Sequence, residues 1–366
     1  MKQRLASYLH CSHVFGGVCS SGLPADFLDR RCFLECTRFN SLVHLITGDR
    51  RKRVEMDCKL QFRRALLLFA VSVVAFGWMG AISSVAAAAA DVTTTVTAVG
   101  KKGAPPAIKK EDVQAYLNKE RVQIADWRHG EDLSLAILID DSIETEAASQ
   151  WNDLKAFIEA QPQNTYVAVA YARNGTAMIG QDFTNDHALA AKALRIPLGT
   201  GGAFSSPYLS LQDWLKRWPS SGPKRRSVIL ISSGIDYFRG SFNPVDPDVD
   251  STIERAQKEN VNLWTIYYPS AGHFGRGFYP TFYAQANLSR LSEGTGAESF
   301  YLGINQPVTL KPYFDEIHEH LNNQYLLTFQ SSDGGKKGKF ERFRVTSEVP
   351  NVEFLAFTQV FLPPSQ

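Results

Sequence analysis

The sequence has few cysteines, and the larger part of the chain has none. All five cysteines lie before residue 90, and the last of them is Cys58. The 276 residues after residue 90 therefore form no disulfide bond, so a hydrophobic core must hold them together. This absence excludes the small secreted scaffolds that depend on disulfides.

An excess of positive charge is also missing from that larger part. The full chain has a net charge of +2, but 12 of its 39 Lys and Arg and 6 of its 37 Asp and Glu lie in residues 1–90. The remainder holds 27 basic and 31 acidic residues, a net charge of −4. The composition therefore gives no support to nucleic-acid binding.

Residues 56–90 have the layout of a secretory signal peptide. Lys59, Arg63 and Arg64 precede an apolar run, and the run ends in small residues with A-x-A cleavage sites before Ala90. A retained membrane anchor over 65–90 is the alternative, because that run is long enough to cross a bilayer. Export without disulfides predicts a periplasmic or extracellular location in a bacterium, with no membrane contact of the mature form unless the anchor is kept.

The first 55 residues do not fit in front of a signal peptide, which must begin the chain. We interpret 1–55 as an upstream extension, with translation starting at Met56. A zinc cluster that uses Cys32 and Cys36 is the alternative for this segment.

Apolar runs alternate with helical spacing from residue 131 to 322. Four runs are typical of strands buried on both faces, and these are Leu133–Ile139, Thr165–Tyr171, Ser227–Ile231 and Asn262–Tyr268. Helices between such strands imply parallel pairing. The pattern predicts an α/β fold, a doubly wound and mostly parallel sheet over 131–322.

Residues 91–130 and 323–366 flank this domain. Alternating β-branched residues predict a strand at Asp91–Val99, and a short helix is expected after Glu111. The C-terminal flank predicts strands with no helix between them, the last over Val352–Phe361. We expect both flanks to pack together as one small antiparallel β module.

Three polar segments are expected at one edge of the sheet. Residues 140–144 and 232–236 each follow a buried strand, and the loop 199–206 precedes a helix. Ligands of doubly wound sheets bind beyond the carboxyl ends of the strands. We therefore expect the three segments to form one polar site.

The segments LAILIDDSIE, GTGGAFSSPYLSL and SVILISSGID, in this order, resemble the von Willebrand factor A domain. The flanks are similar to those of a bacterial secreted group that contains this domain, so the resemblance covers nearly all of the chain after residue 90. It implies a Rossmann-like sheet and non-enzymatic protein binding. It also implies a metal-ion-dependent adhesion site, in which D-x-S-x-S, a Thr and the Asp of S-D-G hold Mg²⁺ and a partner supplies a carboxylate.

The adhesion motif is degenerate in this sequence. Asp140 and Ser142 match its first two positions, but Glu144 replaces the second Ser. Ala203 stands where the Thr is expected and cannot coordinate an ion, and Ser233 lacks the charge of the Asp that it replaces. We therefore expect binding without a metal or another cofactor. A Mg²⁺-dependent module with an altered site is the alternative, and its ligands would be Asp140, Ser142, Glu144, Ser205 and Ser233.

Another protein is the partner that the resemblance implies. The loop Tyr267–Phe282 is rich in aromatic residues, which suit a protein interface. Asp236 is also expected to cap the turn after Gly234. The residues expected at the protein-binding edge are Asp141, Phe204, Asp236, His273 and Arg276.

A serine hydrolase is the alternative from another class, because Ser232 and Ser233 lie at a strand end. The sequence around them lacks the G-x-S-x-G of a nucleophile elbow. The candidate bases are His187, His273, His318 and His320. The segment His318-Glu319-His320 is not a zinc-binding H-E-x-x-H, and we interpret it as a solvated helix end. No acid and base are placed together, so we expect no enzymatic activity.

Sequencing the N-terminus of the protein recovered from its native cell tests the expected processing. We expect a mature chain that begins near Ala90, because the small residues there fit signal cleavage. A chain that begins before Met56 would contradict both the start and the cleavage.

Overall fold

The computed structural model describes residues 90–101, 103–240, 246–272, 277–331, 334–335 and 337–364. The extension 1–55 and the expected signal segment, except for Ala90, lie outside the described residues. His273 and Arg276 also lie outside them. Among the helices that the structure describes, none is both long and apolar enough to cross a membrane.

A six-stranded sheet forms the centre of the molecule. Its strands are β5 (Leu133–Asp140), β6 (Thr165–Arg173), β7 (Thr176–Thr184), β8 (Arg225–Ser232), β9 (Asn262–Tyr267) and β10 (Ser299–Phe300). They lie in the order β10-β9-β8-β5-β6-β7, and all neighbours are parallel except β6 and β7, which form an antiparallel pair. The expected doubly wound, mostly parallel fold is confirmed.

The strand order places a topological switch point between β5 and β8. Numbered within the sheet, the order is 3-2-1-4-5-6, so the chain leaves β5 toward one side and returns at β8 toward the other. Doubly wound sheets bind ligands in the crevice at such a point. The carboxyl ends of β5 and β8 are Asp140 and Ser232.

Helices cover both faces of the sheet, as the wholly buried β5 and β9, and β8 with only Arg226 half-buried, require. The helices are α1 (Trp151–Glu159), α2 (His187–Lys192), α3 (Pro207–Lys216), α4 (Pro247–Glu259), α5 (Phe278–Gly294) and α6 (Lys311–Asn322). Apolar side chains of α1, α2 and α6 pack on one face, and those of α3, α4 and α5 pack on the other.

The flanks form a β module of two four-stranded sheets around a shared apolar core. The first has the order β13-β1-β11-β4, from β1 (Ala90–Gly100), β4 (Ile124–His129), β11 (Gln324–Ser331) and β13 (Val352–Ala356). The second has the order β14-β12-β2-β3, from β2 (Val113–Leu117), β3 (Glu120–Val122), β12 (Lys339–Ser347) and β14 (Gln359–Leu362). The pairing of β11 with β1 and of β12 with β2 joins the N-terminal and C-terminal flanks.

Two expectations about the flanks are wrong. The helix expected after Glu111 is only a 3-10 turn, Lys110–Asp112, and Val113–Leu117 is a strand because it pairs with β12 and buries Val113 and Ala115. The single strand expected over Val352–Phe361 is two strands in different sheets. Between them, Phe357 forms a bridge with Thr295 of the α/β domain, and the chain bends at Thr358.

A buried arginine joins the amino ends of the parallel strands to the β module. Arg225, at the start of β8, donates to the carbonyl oxygens of Glu131 at 2.5 Å and Leu321 at 2.6 Å, and to Oε1 of Gln324 at 3.4 Å. Burial lowers its pKa to about 10. Gln324 begins β11, so the guanidinium connects the sheet, α6 and the module.

Replacing Arg225 by Leu tests this junction. The carbonyls of Glu131 and Leu321 would lose a donor in a buried place, so we expect the free energy of unfolding to fall by about 3 kcal/mol. Urea unfolding followed by circular dichroism measures this change. Lys224→Ala, at the exposed neighbouring residue, is the matched control. Equal stability of the two variants would contradict the role of the junction.

Candidate functional site

The three polar segments meet at the carboxyl ends of β5 and β8. Ser232 Oγ donates to Asp140 Oδ2 at 2.7 Å, which joins the first segment to the third. Gly201, in the loop 199–206, lies between Ser205 and Ser142. A methyl group there would collide with Ser205 Oγ and lie 3.2 Å from Ser142 Cβ, so the close approach requires glycine.

Asp140 is buried, and both of its carboxylate oxygens have internal donors. Oδ1 accepts from the backbone N–H of Ser142 at 2.8 Å, and Oδ2 accepts from Ser232. Burial raises the pKa of Asp140, the hydrogen bonds from Ser232 and Ser142 oppose that rise, and the charge of Asp141 adds to it. Ser232 Oγ in turn accepts from Gly234 N–H at 2.9 Å, so this residue holds the turn after β8 as well.

The serine side chains of the expected metal site are buried. Ser142 Oγ lies near enough to Asp140 to lower its pKa, but it has no hydrogen-bond partner of normal geometry in the described part of the chain. Ser233 Oγ accepts from Ile235 N–H at 3.3 Å. Ser205 is buried, and its carbonyl accepts from the N–H groups of Tyr237 and Phe238.

Glu144 is half-buried and lies at the start of a 3-10 turn, Thr145–Gln150. Its backbone N–H donates to Pro269 O at 3.0 Å. Burial and then the Glu144 charge raise the pKa of Tyr268 to about 12. The charge of Glu144 thus acts on the tyrosines at the end of β9.

The donor set fits Mg²⁺ poorly. Mg²⁺ needs near-octahedral oxygen ligands and is bound through carboxylates. Of the five expected ligands, Asp140 and Glu144 are carboxylates, and Glu144 is turned toward the tyrosines at the end of β9, where burial and then its charge raise the pKa of Tyr268. Within the described ranges, neither group of three potential metal-binding side chains includes Asp140; the groups are Asp236, Asp246 and Asp248, and Glu298, Glu316 and His320.

Asp141 is buried and paired with a cation. Arg195 donates to its two carboxylate oxygens at 2.7 and 2.8 Å, and the guanidinium carbon lies 3.7 Å from the centre of the Tyr171 ring. The ion pair raises the pKa of Arg195. Asp141, which we expected at the protein-binding edge, is fully buried and holds the loop after α2 against β5.

Asp236 is also buried and holds loops together. Its Oδ2 accepts from Ser206 Oγ at 2.7 Å, and its Oδ1 accepts from Arg239 N–H at 2.9 Å. Ser206 also caps α3 through Leu209 N–H at 3.2 Å. The capping role expected for Asp236 agrees with these bonds, but its side chain is buried and offers no exposed carboxylate to a partner.

Exposed apolar side chains lie on the segments that follow the carboxyl ends of the strands. Phe204 is 59% exposed and lies beside Phe238, which is 47% exposed, with ring centroids 5.7 Å apart. Its place at a protein-binding edge stays a prediction. The apolar rim, as we call this set, consists of Ile196, Leu198, Phe204, Phe238, Phe278 and Tyr279, all of them exposed.

The sequence did not identify Arg195 as part of the site. Its partner Asp141 is 54 residues away along the chain, and no motif joins them. A physical signal was present, since two adjacent carboxylates at the end of a buried strand need a compensating cation.

The chain matches solved structures, but no protein-family model and no curated protein sequence matches it. A von Willebrand factor type A protein from Catenulispora acidiphila is 11% identical, with a TM-score of 0.38, over 78% of this chain and 76% of that chain. An aerotolerance-related membrane protein from Bacteroides fragilis, with multiple mutations to serines, is 10% identical, with a TM-score of 0.37, over 52% of this chain and 98% of that one. Proximal thread matrix protein 1 from the mussel byssus, with a zinc-occupied metal-ion-dependent adhesion site, is 13% identical, with a TM-score of 0.38. The match covers 54% of this chain and 47% of that chain.

Replacing Arg195 by Ala tests the charge balance of the site. The buried Asp141 carboxylate would lose its cation, so we expect the free energy of unfolding to fall by about 3 kcal/mol. Adding Asp141→Asn should restore part of the loss, because the amide needs no counter-ion. Arg173→Ala, at an exposed arginine that ends β6, is the control. Urea unfolding at neutral pH measures all three, and additive effects of the two substitutions would contradict the pairing.

Proposed function

We propose that this protein is an exported, non-enzymatic binding module that contacts a partner protein through the strand-end edge of its α/β domain, without a metal ion. The observation that carries the proposal is the position of the Asp140 carboxylate. Each of its two oxygens accepts an internal hydrogen bond, from Ser232 Oγ and from the backbone N–H of Ser142, and these bonds hold the carboxylate in place without an ion. A partner then meets the apolar rim.

The apolar rim supports a protein partner. Aromatic side chains that remain exposed on a folded protein are enriched at protein interfaces, where they become buried. Phe204 and Phe238 lie on the loops that also hold Ser205 and Asp236, and Phe278 and Tyr279 form the first turn of α5, after β9. The loops of Phe204 and Phe238 are joined by hydrogen bonds of Ser205 and Asp236, which reduces the entropy cost of ordering an interface there.

The contacts of the candidate acid–base residues favour a non-enzymatic role. A serine nucleophile needs a base within hydrogen-bond reach. Ser232 donates to Asp140, and each described histidine contacts an atom elsewhere: His129 contacts Asn322 O, His187 contacts Thr165 O, His318 contacts Gln161, and His320 contacts Glu298.

The Mg²⁺-dependent module is the second candidate, and one observation favours it. Ser142 Oγ is buried without a hydrogen-bond partner of normal geometry in the described residues, and it lies beside Asp140. An ion held by Asp140 and Ser142 would satisfy that hydroxyl, and a partner carboxylate would complete its coordination.

Site-specific photocrosslinking in the native cell envelope tests the proposal. A benzophenone amino acid replaces Phe204 in one chain and Lys224 in another; Lys224 is exposed and lies just before β8, at the opposite, amino ends of the parallel strands. We expect the Phe204 position alone to crosslink one defined protein. The same product should form in Mg²⁺ and in EDTA, and Phe238→Ser should reduce it at least several-fold.

Three outcomes would contradict the proposal. Equal crosslinking from Lys224 and Phe204 would place the contact elsewhere. A product that forms only with Mg²⁺ would support the metal-dependent module. Recovery of the protein only from the cytoplasmic fraction would contradict export.

A further inference from the structure

We propose that Glu298, Glu316 and His320 form a zinc-binding site at the outer edge of the central sheet, separate from the strand-end edge. The site lies where the amino end of β10 meets the last turns of α6. In the sheet, β10 is three strands away from β5.

The three side chains bring their ligand atoms to the spacing of a tetrahedral zinc ion. His320 Nε2 lies 3.2 Å from Glu298 Oε2 and 3.9 Å from Glu316 Oε1. Zinc bonds of about 2.0–2.2 Å to nitrogen and oxygen place neighbouring ligands about 3.4 Å apart. The three ligand atoms all lie within 4.8 Å of one another, so adjustments of the side chains would admit the ion.

The imidazole is held in one orientation. His320 is 6% exposed, and its ring stacks on the Trp264 indole with centroids 5.3 Å apart and an interplanar angle of 12°. The interpretation of His318-Glu319-His320 as a solvated helix end is therefore wrong for His320. A ring fixed by packing loses little entropy when it binds a metal, which favours a preorganised site.

The two carboxylates approach the imidazole from different elements. Glu316 and His320 are four residues apart on α6, and this spacing places them on the same face of a helix. Glu298 reaches Nε2 from just before β10, where its carbonyl accepts from Thr265 N–H at 3.2 Å. The ion would thus connect α6 with the edge of the sheet.

The site has room for a further ligand. The side chains of Glu298 and Glu316 are 35% and 53% exposed, and a cavity of about 450 Å³ lies beside Glu298, lined also by Glu293 and Tyr301. A water molecule or a partner's side chain could therefore take the fourth position, as in zinc sites with three protein ligands. One imidazole and two carboxylates suit Zn²⁺ better than Mg²⁺, which prefers oxygen ligands and retains its waters.

Calorimetric titration of the full chain with ZnCl₂ tests the site, after alkylation of the cysteines so that they do not bind the ion. We expect one Zn²⁺ per chain to bind, with affinity reduced at least tenfold in Glu298→Gln, in Glu316→Gln and in His320→Ala. The matched control is His318→Ala, on the same helix, whose Nδ1 lies 3.3 Å from Gln161 Nε2; it should bind Zn²⁺ as the unchanged chain does. MgCl₂ should not compete.

A check of folding and a second readout accompany the titration. Glu316 is exposed, so Glu316→Gln should fold even if His320→Ala does not, and near-ultraviolet circular dichroism checks each variant. Co²⁺ should quench Trp264 fluorescence in the unchanged chain and not in Glu316→Gln. Absence of Zn²⁺ binding, or equal binding by the unchanged chain and both Gln variants, would overturn the proposal and leave the proposed function unaffected.

Discussion

The hydrogen bond between Asp140 and Ser232 is the contact on which the strand-end edge depends. It joins the last residues of β5 and β8 at the switch point, where a doubly wound sheet opens a crevice for a ligand. Because Ser232 also accepts from Gly234, the same hydroxyl fixes the turn after β8. Ser232 thus holds β5, β8 and the following turn together at the switch point.

Arginine side chains of the same domain balance the charge of carboxylates at this edge. The Asp141 carboxylate is buried against Arg195, and Arg239 pairs with Asp248 beside Asp236, so the neighbouring carboxylates are also held within the protein. The same loops expose the aromatic rings of Phe204 and Phe238. The proposed protein contact rests on these rings, which suit a protein interface, whereas the unpartnered Ser142 hydroxyl favours the alternative of an ion shared with a partner.

The fold was largely predictable from the sequence, because strands buried on both faces leave continuous apolar runs such as Leu133–Ile139. The β module was less predictable. Val113–Leu117 is too short for its pattern of apolar residues to distinguish a strand from a helix, and its pairing with β12 makes it a strand. The meeting of the three polar segments was predictable, because two of them follow the carboxyl ends of neighbouring parallel strands. The burial of Asp141 and Asp236 was not predictable in this way. Partners such as Arg195 for Asp141, or Glu298 for His320, are distant in sequence and meet only in the folded chain.

The central claim is that the Asp140 carboxylate is occupied by internal hydrogen bonds and holds no metal ion. Calorimetric titration of the cysteine-alkylated chain with MgCl₂ and MnCl₂, beside Asp140→Ala, tests it most directly. The account predicts identical titrations for the two chains with either metal, since Mn²⁺ bound near His320 would appear equally in both. Micromolar binding of Mg²⁺ or Mn²⁺ by the unchanged chain that disappears in Asp140→Ala would contradict the claim.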